Sequence, residues 1–310
     1  MKKSVNRILF SLLVIAALTS GAASIGDPAP PLTVEKWVKG SPFRIAPGTN
    51  IFVVEFWATW CGPCRRSIPH LTEMQKKYGD KGVIFLGVSE EPLSDVGPFV
   101  ASQGDNMAYR VGVDTSQRTL RAWMTAYGEN GIPHAFIVNT NGIVVWHDYP
   151  DEDLDHALET LISGTFDLEY ERNRETGGRL VLGYTALVKK PNAVAQAAPT
   201  GNKILSDYSR DWVIPYDLAK AILTDPAVRS RDLDLALRAT TRATELTHQR
   251  GYQALAMHAR ALFANGKKQE AATTQKKALD LCDDPEDRPK LQQFLALYEK
   301  GAQLEESKTK

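Results

Sequence analysis

Ile51–Trp57 reads IFVVEFW and Val83–Val88 reads VIFLGV. Apolar runs of this kind predict strands buried on both faces, as in a sheet covered by helices. Between them, Ile68, Leu71, Met74 and Tyr78 follow a 3,3,4 spacing. That spacing predicts an amphipathic helix ending near Tyr78, kinked at Pro69. A second helix is predicted over Ser94–Ser102, a short strand over Tyr109–Val113 and a third helix over Thr115–Tyr127. Ala135–Val138 and Ile143–His147 predict two strands joined at Asn141-Gly142, a dipeptide that favours tight hairpins. Asp151–Ile162, with acids in its first turn, predicts a closing helix, and partial alternation over Leu32–Val38 predicts a short opening strand. Alternating strands and helices imply an α/β domain with a parallel central sheet and an antiparallel hairpin at its edge.

The periodicity weakens after Gly164. Pro191–Gly201 (PNAVAQAAPTG) has the composition of a linker, so 165–206 is read as linker with no assigned structure. Beyond Pro215 alanine, leucine, lysine and glutamate dominate. Helices are predicted over Tyr216–Leu223, Asp232–Thr247, Tyr252–Ala264, Lys268–Leu281 and Pro285–Lys300, with breaks such as Asn265-Gly266. Short turns between amphipathic helices predict an array of helical hairpins. The expected organisation is a leader over 1–23, an α/β domain over 24–164, a linker over 165–206, a helical domain over 207–302 and a tail over 303–310.

A length of 310 residues suits two folded units. The 37 basic and 37 acidic residues cancel, which excludes the global basic field of a nucleic-acid binder. Lys2, Lys3 and Arg7 precede the apolar stretch Ile8–Leu18, and the small residues Ser20 to Ser24 follow. This pattern predicts an export signal cleaved near Ala22 or Ala23. An uncleaved anchor is the competing reading, but the apolar stretch falls short of the roughly 20 residues that span a bilayer. Export implies a periplasmic or other extracytoplasmic setting.

Cys61, Cys64 and Cys282 are the three cysteines, too few for a disulfide framework in a chain this long. Cys61-Gly62-Pro63-Cys64 follows a buried strand and opens a helix. A thiol there meets unpaired backbone N–H groups and the positive end of the helix dipole, which favour thiolate. Pro63 is tolerated in the first turn, where its missing N–H has no partner to lose. The offset of three lets Cys64 reach back to resolve a mixed disulfide on Cys61. A zinc site would need four ligands, and no second Cys/His pair has suitable spacing. A purely structural bridge would close too small a loop to stabilise much. No metal is expected, and no cofactor beyond the redox-active Cys61–Cys64 disulfide. Cys282 is expected to be a buried, inert thiol.

Val54-Glu55-Phe56-Trp57-Ala58-Thr59-Trp60-Cys61-Gly62-Pro63-Cys64-Arg65 resembles the active-site segment of thioredoxin-like proteins, closest to the exported TlpA/ResA group of thiol–disulfide oxidoreductases. Gly131-Ile132-Pro133-His134-Ala135-Phe136-Ile137-Val138 resembles that family's cis-proline segment, and the material near 94–113 resembles the group's insertion. The resemblance covers about residues 25–163 and implies an α/β thioredoxin fold. It implies Cys61 as nucleophile, Cys64 as resolving cysteine and Pro133 as the cis-proline facing the pair; an ordinary trans turn is the alternative for Pro133. Trp60, Gly62, Pro63 and Ile132 are the expected substrate contacts. Glu55 falls where thioredoxins carry a buried acid, which would shuttle a proton; a solvated charge at a strand edge is its other reading. His134 stands where threonine is common in the family, and either tunes the thiols or packs locally. Glu90 and Glu91 are read as surface charges. Leu262, Gly266, Ala271 and Ala278, with Ala236 and Ala243 before them, resemble tetratricopeptide spacing.

The expected activity is reduction of protein disulfides, with a disulfide-containing protein as substrate and a membrane-bound or exported thiol reductant upstream. The helical domain is either packing or a docking surface for a protein partner; no nucleic acid is expected. Two alternatives stand beside this: a disulfide oxidant or isomerase, and an interaction scaffold built on the helical domain. A peroxidase reading is weaker, because no cysteine precedes the pair.

Overall fold

The structure is a computed structural model and describes residues 22–150 and 152–309. The leader expected over 1–23 lies outside these residues except at its last two positions. The described residues divide into two compact units. One runs to Phe136 and takes in Thr140–Gly142 and Asp148–Asp151; the other takes Ile137–Asn139, Ile143–His147 and the chain from Glu152 onward.

The sheet has six strands: β1 (Lys36–Lys39), β2 (Ile51–Phe56), β3 (Val83–Ser89), β4 (Arg110–Val113), β5 (His134–Val138) and β6 (Val144–Asp148). Their order is β1-β4-β3-β2-β5-β6. β2 and β4 both pair parallel with β3, and β1 closes one edge antiparallel to β4. Every residue of β2 is buried, as expected of a run apolar at every position but Glu55. α1 (Gly62–Tyr78) and α2 (Leu93–Gln103) follow β2 and β3. Pro69 lies inside α1, whose buried face carries Cys64, Ile68, Leu71, Met74 and Tyr78. The helix expected over Thr115–Tyr127 differs in form. It starts late, as α3 (Arg118–Leu120), and widens into a π-helical stretch over Arg121–Thr125 that buries Trp123 and Met124. Such a widening admits one extra residue per turn and re-aims the side chains around it.

Gly87 on β3 has a local packing reason. A Cβ there would meet Trp57 Nε1 at 2.9 Å and the Tyr109 ring at 3.1 Å. The absent side chain lets both aromatics close over the strand.

From α4 (Glu152–Ser163) onward the chain is helical: α5 (Leu168–Val188), α6 (Val194–Asp207), α7 (Val213–Thr224), α8 (Leu233–Leu246), α9 (Tyr252–Ala264), α10 (Lys268–Leu281) and α11 (Arg288–Thr309). The linker expected over 165–206 is therefore corrected: that stretch forms α5 and α6. Asp167 caps α5 by accepting from the Tyr170 N–H at 2.9 Å. Val181, Tyr184 and Val188 of α5 share one core with Ala197 and Ile204 of α6, Leu218 and Ile222 of α7, Leu235 and Ala239 of α8 and Ala261 of α9. The linker reading failed because α6 packs through small residues. A Cβ on Gly201 would stand 2.4 Å from Leu235 and 3.0 Å from Tyr184. From α7 to α11 each helix packs on its successor. No helix among the described residues is long and apolar enough to cross a membrane.

Candidate active site

The unbroken burial of β2 delivers the chain to one end of the sheet, where α1 begins. Cys61 is the N-cap of α1, with extended backbone (φ −75°, ψ 105°). Its sulfur accepts from the Cys64 N–H at 3.1 Å, and its carbonyl accepts from the Arg65 N–H at 3.1 Å. The sulfur thus takes the place of a capping oxygen on a donor that the helix leaves free. The same donor and the dipole behind it stabilise a thiolate once the bond opens. Cys61 and Cys64 are joined in a disulfide, with Cα atoms 5.2 Å apart. Cys61 is 3% exposed and Cys64 is fully buried.

Around the bond, Gly62 and Pro63 are exposed and Trp60 is 72% exposed. Ile132 is half-buried, and its carbonyl oxygen lies 3.7 Å from Cys61 Sγ. The Ile132–Pro133 peptide bond is cis and Pro133 is buried. The four expected substrate contacts are therefore all accessible, and one of them faces the sulfur with a backbone acceptor. His134 is buried, its ring centroid 5.1 Å from that of Phe136 and its Nδ1 4.0 Å from a Glu129 carboxylate oxygen.

Glu55, on β2, is 1% exposed. Its Oε1 accepts from Ser67 Oγ at 3.0 Å and its Oε2 from the Tyr109 hydroxyl at 3.2 Å. Burial pushes its carboxyl up to about 8, against the opposing pull of the two hydrogen bonds. Tyr109 is raised well above its ordinary value, by burial first and by the charge of Glu55 second. Ser67 also reaches the Cys64 carbonyl, at 2.9 Å. The Glu55 carboxyl is thereby linked to Cys64 through one side chain.

Three groups that sequence reasoning passed over belong to this arrangement. Ser67 lies one helical turn after Cys64, a spacing that places both on one face of α1. Tyr109 had been read as the start of a strand. Glu91 had been read, with Glu90, as a surface charge. Glu90 is indeed exposed, but Glu91 is half-buried and grips the loop before Cys61. Its carboxylate accepts from the Thr59 N–H at 2.6 Å and from the Thr59 hydroxyl at 2.7 Å, and Ser89 donates to it at 3.3 Å. Charge-assisted bonds of this kind contribute about 1.5–3 kcal/mol each. Glu91→Ala is expected to lower unfolding free energy by about 2 kcal/mol and to slow the reaction of Cys61 severalfold, because the freed loop no longer holds Cys61 at the helix terminus. Denaturant melts and thiol alkylation rates check both effects.

Comparison with known proteins places this geometry. Residues 25–147 match the AhpC/TSA family. The thiol-disulfide oxidoreductase ResA of Geobacillus thermodenitrificans is 29% identical over 176 residues, covering 52% of this chain and 97% of that protein. Over residues 25–147 the chain is thus similar to the AhpC/TSA family, and over a like stretch to the ResA thiol–disulfide oxidoreductases. Protein FixW of Rhizobium leguminosarum is 27% identical over 135 residues, 41% of this chain and 61% of FixW. A thioredoxin-family thiol:disulfide interchange protein from Chlorobium tepidum TLS is 30% identical, covering 46% of this chain and 99% of that one, with a TM-score of 0.39. The family match covers the segment that carries the Cys61–Cys64 bond and the cis Ile132–Pro133 peptide. Helices α5–α11 lie beyond it.

In the helical unit, a cavity of about 170 Å³ is lined by Tyr216, Tyr252, Met257, Arg260, Gln275 and Phe294 among others. Cys282 is buried, its Sγ 3.4 Å from the Asp284 carbonyl oxygen.

Proposed function

We propose that the protein is an exported reductase of protein disulfides. The observation that carries the reading is Cys61 at the N-cap of α1, its sulfur beside the Ile132 carbonyl. An extended substrate segment would pair with that backbone edge while its disulfide meets Cys61. In the reduced enzyme the Cys61 thiolate attacks one substrate sulfur, and the other substrate sulfur leaves as a thiol. Cys64, having given up its proton, attacks Cys61 Sγ and releases the second substrate thiol. Two electrons pass from the pair to the substrate, and the Cys61–Cys64 bond closes. Glu55 is the proposed acceptor of the Cys64 proton, because it is joined to Cys64 through Ser67 and burial raises its carboxyl to about 8, in the range where thiols titrate.

The exported setting rests on Lys2, Lys3, Arg7 and the apolar Ile8–Leu18. In an oxidising compartment the closed pair needs an upstream thiol reductant, membrane-bound or exported. The successive packing of α7–α11 supports the proposal that these helices form a tetratricopeptide-like array that docks a protein partner.

The deciding measurement is the reduction potential of the pair. Gly62-Pro63 resembles reducing thioredoxins, whose potential is about −270 mV. A value in that region, with reduction of insulin disulfides under a thiol donor, supports the reductase. A value above about −150 mV would replace it with the oxidant reading.

A further inference from the structure

Ser67 Oγ carries a single hydrogen and stands between two acceptors, Glu55 Oε1 at 3.0 Å and the Cys64 carbonyl oxygen at 2.9 Å. A hydroxyl donates one bond and accepts up to two, so it cannot serve both acceptors fully at once. All three groups are buried, and bulk water does not take up the deficit. The protonation state of Glu55 decides which acceptor Ser67 serves. When Glu55 is ionised it is an acceptor only, and a carboxylate outcompetes a peptide carbonyl for the hydrogen. Ser67 then turns to Glu55. When Glu55 carries its proton it donates to Ser67, and the Ser67 hydrogen is free for the Cys64 carbonyl.

We propose that Ser67 is a two-position link that transmits the protonation state of Glu55 to the backbone of the resolving cysteine. It is a positioning residue: it touches neither substrate nor the sulfur atoms. Removing the proton from Glu55 withdraws a hydrogen bond from the first turn of α1. The Cys64 carbonyl is then left to its helical partner alone, while the Cys61 cap on the Cys64 N–H is unchanged. The thiol pair would thus sense the proton at Glu55 through α1 as well as across space. Tyr109 is the titratable group that faces the same carboxyl from the segment before β4. It stays protonated throughout, since its own ionisation lies well above 10, and it donates to Glu55 or accepts from it without changing charge. The inference rests on the reading of Glu55 as the proton carrier, but its test needs no turnover.

The test uses the full-length oxidised protein, in which neither Cys61 nor Cys64 titrates. Carbonyl-labelled cysteine gives three ¹³C resonances; Cys282→Ser identifies one, and labelling the nitrogen of Arg65 identifies that of Cys64. The Glu55 titration is followed in parallel by the infrared band of its protonated carboxyl, assigned by its loss in Glu55→Gln. The Cys64 carbonyl shift is expected to move with the same midpoint as Glu55, near pH 8. In Ser67→Ala the Cys64 shift is expected to be flat across that range. The Glu55 midpoint should rise by about one pH unit, a tenfold gain in proton affinity, because a donor to the carboxylate is gone. Ser67→Thr keeps the hydroxyl and should restore the coupled shift. A Cys64 resonance that ignores the Glu55 midpoint in the wild-type protein overturns the proposal, and so does one that still follows it in Ser67→Ala.

Discussion

Cys64→Ser is expected to accumulate a covalent complex between Cys61 and the substrate, while Cys61→Ser is expected to lose disulfide exchange by about three orders of magnitude or more. The second effect follows because a serine hydroxyl is almost never ionised at neutral pH, whereas a thiol at a helix N-terminus is readily so. The first follows from the geometry of resolution. Cys64 is fully buried behind Cys61, and the third thiol, Cys282, is itself buried in its own unit. The serine is nearly isosteric, and α1 has no reason to unwind. Non-reducing electrophoresis of extracts with the Cys64→Ser chain should show bands that collapse on adding a thiol. Equal bands from Cys61→Ser would mean that Cys282, or a sulfur other than Cys61, does the capturing. Insulin reduction measures the rate loss.

The second large effect concerns stability against pH. The Glu55 carboxyl titrates at about 8 in the folded protein, against an ordinary value of 4.5 once the chain unfolds. Between these values the folded state holds a proton that the unfolded state has released, so stability falls as pH rises across the interval. It is fully present below pH 4.5 and lost as the pH passes through 8. The gap corresponds to on the order of 5 kcal/mol. Glu55→Gln removes the titration and keeps a side-chain oxygen to accept from Ser67 and Tyr109. Its unfolding free energy should match the wild type near pH 4.5 and exceed it by several kcal/mol at pH 9. Urea melts across that range are the measurement, and parallel curves for the two proteins would show that Glu55 does not hold its proton when folded.

Much of the catalytic half is legible in the sequence for a physical reason. Strands buried on both faces must be continuously apolar, so Ile51–Phe56 and Val83–Ser89 announce themselves within a residue or two of their observed ends. The Cys-Gly-Pro-Cys turn couples a strand end to a helix start, which localises the chemistry. Glu55 stands out because a charge inside an apolar run needs a reason to be there. What surrounds it does not stand out. Ser67, Tyr109 and Glu91 take their meaning from distances across the fold, between residues 12, 54 and 32 positions apart in sequence. No local pattern encodes such distances. Glu91 follows a strand end beside another acid, a setting in which solvated charges are common. Only the structure shows its carboxylate turned onto Thr59. The π-helical widening after Leu120 likewise has no periodic signature, since it shifts the register by a single residue.

In the helical half the helices expected between Tyr216 and Leu281 match α7–α10, and the misreading concerns 165–206. Pro191–Gly201 reads as a tether because alanine, glycine and proline are plentiful in tethers. In α6 the buried ones, Ala197 and Gly201, are small because other helices lie against them. Composition there records the distance between helix axes rather than freedom of motion, and the two readings imply opposite behaviour under mutation. A tether accepts almost any replacement. At Gly201 even alanine would have to push aside Leu235 or Tyr184, so a position that looks dispensable in the sequence does not accept the smallest side chain without a shift of its neighbours.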